Sequence, residues 1–288
     1  MTPRLRAELV LLGVTLAWGG SFLVAKDTLG TLAPFSLIAL RFALAVALLA
    51  ALFGRRAFAL GRDAAGRSQW RAALAIGLLL WAGFAVQTLG LRETTPARSA
   101  FITATYVAMV PLLTRVISAR PLRKRVIAAV GAALVGLYLL TDPGSGGANR
   151  GDWLTLLGAL AFAGHMVALD RGARSMAAPA LAFVQMAVVA GVSLPFALAE
   201  DAASSGGFTG RSLAALGYLG LICSALGFLG QTWGQRHTSP VRVGLIFSLE
   251  SLFAALLSVA IGMEVLTPLQ WAGGLLLVAG VLVGEVPD

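Results

Sequence analysis

GFAVQTLGLRETTPAR (Gly83–Arg98) and GFLGQTWGQRHTSPVR (Gly227–Arg242) are two versions of one passage. Gly, Phe, Gln, Thr, Gly, Arg, Thr, Pro and Arg recur at matching places, 144 residues apart, which is half of the 288-residue chain. Each copy reads as a helix end, a turn and the start of the next helix, with Pro96 and Pro240 at the new starts. Proline is well tolerated there, because its missing N–H would have no partner within the helix anyway. The copying extends outward. LAWGGSF (Leu16–Phe22) matches LAFAGHM (Leu160–Met166) at the same offset, Val135-Gly136 matches Ala279-Gly280, and Ala33-Pro34 matches Ala178-Pro179 with a one-residue slip.

Composition identifies the solvent. Charged residues make up 12% of the chain and hydrophobic residues 58%, against about 25% charged in an ordinary soluble domain. A surface this poor in charge suits lipid. The net charge of +9 comes in short basic clusters between apolar runs, not as a groove-reading module, so no nucleic-acid partner is expected. The single cysteine, Cys223, permits no internal disulfide and no cysteine metal cluster. Two distant histidines, His165 and His237, give no metal-ligand spacing, and neither a metal nor a cofactor is expected.

A membrane-spanning helix needs about 20 mainly apolar residues. Ten such segments are read, near 7–26, 34–54, 71–91, 97–117, 123–141, 152–170, 178–199, 211–235, 240–262 and 267–285. The expected fold is therefore an all-α integral membrane protein. Apolar and polar residues do not alternate, which argues against strands. Gly131, Gly136, Gly273, Gly274 and Gly280 lie within spans, where small residues let helix backbones approach closely. The first span follows Arg4 and Arg6 and resembles a signal peptide in outline, but its internal counterpart argues that it is retained.

Arginine and lysine set the orientation. With both termini in the cytoplasm, the inner face collects clusters such as Arg55, Arg56, Arg62, Arg67 and Arg71, and Arg120, Arg123, Lys124 and Arg125. The outer face receives scattered cations, among them Lys26, Arg92, Arg98, Arg150 and Arg211. Five spans per copy is an odd number, so the second copy enters the membrane from the opposite side. The expected organisation is two inverted five-helix repeats, 1–144 and 145–288, around a central cavity. Inverted repeats are a recurrent signature of secondary transporters that work by alternating access.

LAWGGSFLVAK, LRFALA and QTLGLRETTPARSAFITATYVAMVPLL, taken in order and together with their second copies, resemble the EamA family of the drug/metabolite transporter superfamily. The resemblance covers the whole chain. It implies ten helices, cytoplasmic termini and export of small metabolites, with amino acids the leading class, as in the YddG-type amino-acid exporters. One departure stands out. Gly262-Met263-Glu264 keeps an acid often found in this family after the ninth span, whereas the first copy reads Ser118-Ala119-Arg120.

Charges within hydrocarbon are costly and so point to function. Glu250, near the middle of the ninth span with Tyr106 as its repeat partner, reads as a substrate-ammonium or proton site, or as a protonated carboxyl fixing helix packing. Arg41 in the second span reads as a carboxylate ligand or as a snorkelling cation. His165, paired by the repeat with Ser21, reads as a proton relay, a substrate contact or an interhelical hydrogen bond. Gln87 and Gln231 each follow an aromatic residue by three positions, Phe84 and Phe228, and so share a helix face with it. They read as cavity walls or interhelical contacts. Trp18, Trp81 and Tyr106 lie inside spans and suit an amphipathic pocket or a packed core, while Trp70, Trp153 and Trp271 suit the interfacial belt. Arg92, Arg98, Arg236 and Arg242 flank the repeated turns as loop and headgroup anchors.

The expected function is a secondary transporter exporting amino acids, aromatic or apolar ones included, or similar small metabolites across a bacterial inner membrane. Its partners would be the small-molecule substrate, membrane lipids and, through Glu250 or His165, protons. Alternatives are a lipophilic-cation exporter, a nucleotide-sugar-type transporter or, in another class, an intramembrane enzyme. The chain has no phosphate-binding loop, no HExxH and no paired aspartates within a span, so no enzymatic activity is expected.

Overall fold

The computed structural model describes residues 2–55, 64–118, 122–141, 148–200, 209–260, 262 and 265–285. Ala119, Arg120, Met263 and Glu264, which carry the departure noted at the ends of the fourth and ninth spans, lie outside the described residues. Among the described residues the regular structure is helical, and eight helices are long and apolar enough to cross a membrane. They are α1 (Pro3–Thr28), α2 (Pro34–Phe53), α3 (Ala64–Glu93), α4 (Pro96–Ile117), α6 (Arg150–Ser175), α7 (Ala178–Ala199), α8 (Gly210–Gly234) and α9 (Pro240–Ala260). Two further helices, α5 (Lys124–Thr141) and α10 (Pro268–Glu285), complete the bundle. Large apolar side chains stand outward, among them Val116, Leu198 and Leu275, each more than 70% exposed. That outer surface suits lipid and would be unusual in water.

The helix starts follow local chemistry. Thr95 and Ser239 occupy equivalent caps, their hydroxyls accepting from the N–H groups of Arg98 (3.2 Å) and Arg242 (3.4 Å), with Pro96 and Pro240 directly after them. Asn149 and Asp152 form a reciprocal capping box at α6, as do Thr209 and Ser212 at α8. Each device satisfies N–H groups that the first helical turn leaves without partners.

Several helices are interrupted at mid-length. In α4 and α9 the break falls at equivalent positions. Thr105 N–H donates to the Ile102 carbonyl (3.2 Å) and Leu249 N–H to the Ile246 carbonyl (3.1 Å), a three-residue closure in place of the usual four. The Thr105 and Ser248 hydroxyls add bonds to carbonyls three residues back (2.5 and 2.7 Å). Such local side-chain bonds compete with regular helix. Tyr106 and Glu250 immediately follow the breaks. In α1 the interruption is at Gly20, and its counterpart α6 runs through. In α8 the segment Tyr218–Leu226 is wound as a π-helix, whereas α3 is regular.

Packing joins the two halves of the chain. α5 lies against α10, α3 against α6, and α2 against α7. At α5–α10 the backbones nearly touch: a Cβ on Gly136 would stand 2.5 Å from the Leu277 nitrogen, and one on Gly273 2.5 Å from the Leu140 nitrogen. One apolar core joins α1, α4, α5, α6, α9 and α10, and a second joins α2, α3, α7 and α8. Trp18 packs against both.

Candidate functional site

The helix breaks and the polar face of α3 converge on an interior cavity of about 60 Å³. Trp18 and Ser21 come from α1 and Arg41 from α2. Phe84 and Gln87 come from α3, Tyr106 from α4, His165 from α6, Phe228 and Gln231 from α8, and Glu250 from α9. The structure thus brings together every candidate substrate-binding residue of the sequence except Trp81. Trp81 stacks on Phe196 (5.9 Å between centroids), and its indole N–H is buried without a partner. Phe22, Thr103, Phe162 and Met166 also line the cavity and are not among those candidates. The repeat holds a signal for three of them. Phe22 and Met166 are repeat partners, and Phe162 is the partner of Trp18.

The walls are aromatic. Trp18 lies 5.1 Å from Phe228 between centroids, and Phe84 lies 5.3 Å from Phe162 and 5.9 Å from Phe228. Trp18 Nε1 donates to the Cys223 carbonyl in the π-helical segment (2.8 Å), and the Tyr218 hydroxyl donates to the Ala17 carbonyl. Arg41 is buried and does not snorkel. Its Nε donates to the Ser224 hydroxyl (3.0 Å), and its guanidinium carbon stands 4.9 Å from the Phe84 ring centroid, in cation–π range. Glu250 is buried as well, and it makes no hydrogen bond or ion pair among the described residues. The Tyr106 hydroxyl is buried and unpartnered.

The amide side chains have defined directions. Gln87 Nε2 donates to the Thr103 hydroxyl (2.8 Å). His165 Nε2 meets Gln185 Oε1 at 2.7 Å, and Gln231 Nε2 donates to Gln235 Oε1 (3.0 Å). Gln185 and Gln235 are both fully buried. Their part in the site is not visible in the sequence, because each lies behind the cavity wall and acts through a neighbour. The described residues hold no cluster of His, Cys, Asp or Glu suited to a metal ion.

A second, larger space of about 480 Å³ lies between the later parts of α1 and α9, the start of α4 and the adjoining ends of α5 and α10. Phe22 lines both spaces and stands between them. The arginines flanking the repeated turns serve in part as ties within the bundle. Arg98 pairs with Asp152, and Arg242 lies 3.9 Å from Glu8, in addition to the loop and headgroup anchoring expected of them. His237 is exposed beside Trp233, and Trp153 and Trp271 are exposed at helix starts.

A bundle of apolar, membrane-length helices around an interior cavity lined by Arg41 and Glu250 defines a multi-pass membrane protein. Comparison with known proteins gives its family. The EamA-like transporter family matches this chain twice, over residues 5–142 and 149–284. The chain belongs to the EamA-like transporter family, which makes it a membrane transporter and not an enzyme. An "Uncharacterized transporter" of Archaeoglobus fulgidus is 32% identical over 280 residues, covering 97% of this chain and 86% of that protein. The "Uncharacterized transporter YyaM" of Bacillus subtilis is 24% identical over 295 residues, covering 96% and 93%. A solved structure described as "Crystal structure of protein" shares the fold at a TM-score of 0.81 and 20% identity, covering 97% of this chain and 96% of its own.

Proposed function

We propose that this chain is a secondary transporter that exports amino acids, apolar and aromatic ones among them, or similar small metabolites across a bacterial inner membrane. In this reading all ten helices span the bilayer as two inverted five-helix repeats, 1–144 and 145–288, with both termini in the cytoplasm. The substrate sits in the aromatic-walled cavity at mid-span, as in exporters of the YddG type. Access alternates as the two repeats exchange conformations around that site.

The observation that carries the reading is the pairing of Arg41 and Glu250 on the wall of one buried cavity without an ion pair between them. Two opposite charges kept apart inside hydrocarbon are costly unless a ligand or a proton completes them. At about 60 Å³ the cavity holds only a few waters, at roughly 15 Å³ of this volume each. An amino acid therefore enters by displacing the aromatic walls, in keeping with a closed state of a moving site. Glu250 and His165 are the groups through which protons would couple to transport.

Flux through purified protein in liposomes tests this. Vesicles loaded with labelled amino acids should release a subset of them, and Glu250→Gln should abolish release or remove its dependence on a pH gradient. Folded protein that moves no amino acid would overturn the substrate assignment. A lipophilic-cation exporter is the second reading, favoured by the aromatic walls around Glu250, and Arg41 in the same cavity weighs against it.

A further inference from the structure

The interior hydrogen bonds give the cavity a chemical direction. Gln235 Nε2 donates to the Met166 backbone carbonyl (2.9 Å). A carbonyl only accepts, so the Gln235 amide is fixed with Oε1 toward Gln231. Gln231 must turn its own nitrogen to that oxygen and is left presenting Oε1, which is buried and has no partner. A second chain works in the same way. Gln185 Nε2 donates to the Leu181 carbonyl (3.2 Å) and to the Thr232 hydroxyl (3.3 Å), so its Oε1 faces His165 Nε2. A neutral imidazole beside that acceptor carries its proton on Nε2 and keeps a bare lone pair on Nδ1. Glu250 supplies a third acceptor, its carboxylate free of any partner among the described residues. The nearby Trp18 N–H is already occupied by the Cys223 carbonyl.

We propose that Glu250, His165 and Gln231 form a subsite for a primary ammonium group, with Arg41 as the opposing pole for a carboxylate. Three acceptors match the three N–H donors of –NH₃⁺, and the carboxylate matches its charge. The Phe228 ring, 6.2 Å from the imidazole centroid, and Trp18 add faces that favour a cation. Arg41 lies toward the other end. It also lines an adjoining space of about 30 Å³ that Glu250, His165 and Gln231 do not reach. With Nε held by Ser224, its terminal N–H groups remain for a bidentate carboxylate. The substrate class is a zwitterion with an unsubstituted ammonium. Gln185 and Gln235 are positioning residues, since each acts only by orienting a cavity group. The inference rests on the transport reading for its biological sense, but it is tested by binding alone.

Binding of the standard L-amino acids to purified full-length protein is measured first. The tightest ligand is then compared with its N,N-dimethyl derivative, its decarboxylated amine and its deaminated acid. Each altered ligand should bind at least about tenfold more weakly, the loss expected for a charge-assisted hydrogen bond. Gln185→Leu should bring the ratio between the primary and N,N-dimethyl ligands toward one while the protein stays folded. A merely structural glutamine would leave that ratio unchanged. If no amino acid binds, or if the dimethyl derivative or the deaminated acid binds as well as the parent, the subsite assignment is overturned. Selective binding without flux in liposomes would leave the subsite standing and remove the amino-acid-export reading.

Discussion

Arg98, near the start of α4, reaches Asp152 near the start of α6. Displaced by half the chain, Arg242 near the start of α9 lies 3.9 Å from Glu8 in α1. One contact has been built twice from repeat-related residues, and the two differ in strength. Asp152 is 5% exposed, accepts from the Thr94 hydroxyl (2.7 Å) and the Asn149 N–H (3.0 Å), and closes a capping box. Glu8 is 19% exposed and shares its carboxylate with Arg4. Removing one partner of a buried pair costs up to about 3–5 kcal/mol, and the longer, less buried Glu8–Arg242 contact lies below that, between this figure and the roughly 0–1 kcal/mol of an exposed pair. Asp152→Ala should therefore lower thermal stability in detergent far more than Glu8→Ala. Equal effects would show that the two ties are energetically alike.

Gly136→Val should destabilise the α5–α10 contact by about 1–3 kcal/mol or more, because the added atoms meet backbone that cannot rotate away. Gly131→Ala, on the same helix with nothing within 4 Å of a new Cβ, should be neutral or stabilising by up to about 1 kcal/mol. Thermal unfolding of both variants checks this, and a tolerated valine at 136 would contradict the close packing.

A Cβ on Gly227 would lie 2.7 Å from the Trp18 indole nitrogen, the atom that bonds the Cys223 carbonyl. Gly227→Ala should push the indole from its place in the cavity wall. Ligand affinity should fall about five- to tenfold, the scale of one lost hydrogen bond of about 1–1.5 kcal/mol, while the protein still elutes as a folded species. Unchanged affinity would place Trp18 outside the binding step.

The orientation inferred from arginine and lysine predicts labelling from one side only. In a Cys223→Ser background, Arg150→Cys should react with a membrane-impermeant thiol reagent applied to intact cells, and His237→Cys should react only after lysis. Both native residues are exposed, so a reversed pattern would reverse the orientation.

Much of this architecture is legible in the amino-acid sequence. The spans follow from apolar runs of the length a bilayer demands, with two starts marked by Pro96 and Pro240. Glu250, Arg41 and His165 stand out because a polar group inside hydrocarbon is costly enough to imply a purpose. Gln87 and Gln231 stand out because they recur in both copies. Trp81 misleads for a physical reason. An aromatic residue in a span packs equally well against the core or a cavity, and a helix face is set by its neighbours as well as by its own sequence.

The kind of protein is written in the chain itself: doubled, helical, solvated by lipid, with a few polar groups at mid-span. Periodicity and transfer cost are local properties, and they can be read residue by residue. The direction in which those polar groups point is not local and emerges only on folding. The Cys223 carbonyl that meets Trp18, the Gln185 oxygen that meets His165 and the Met166 carbonyl that fixes Gln235 are all brought to their partners from other helices. A hydrogen bond has a donor and an acceptor end, and which end faces the cavity depends on the partner at the other end of the chain of bonds.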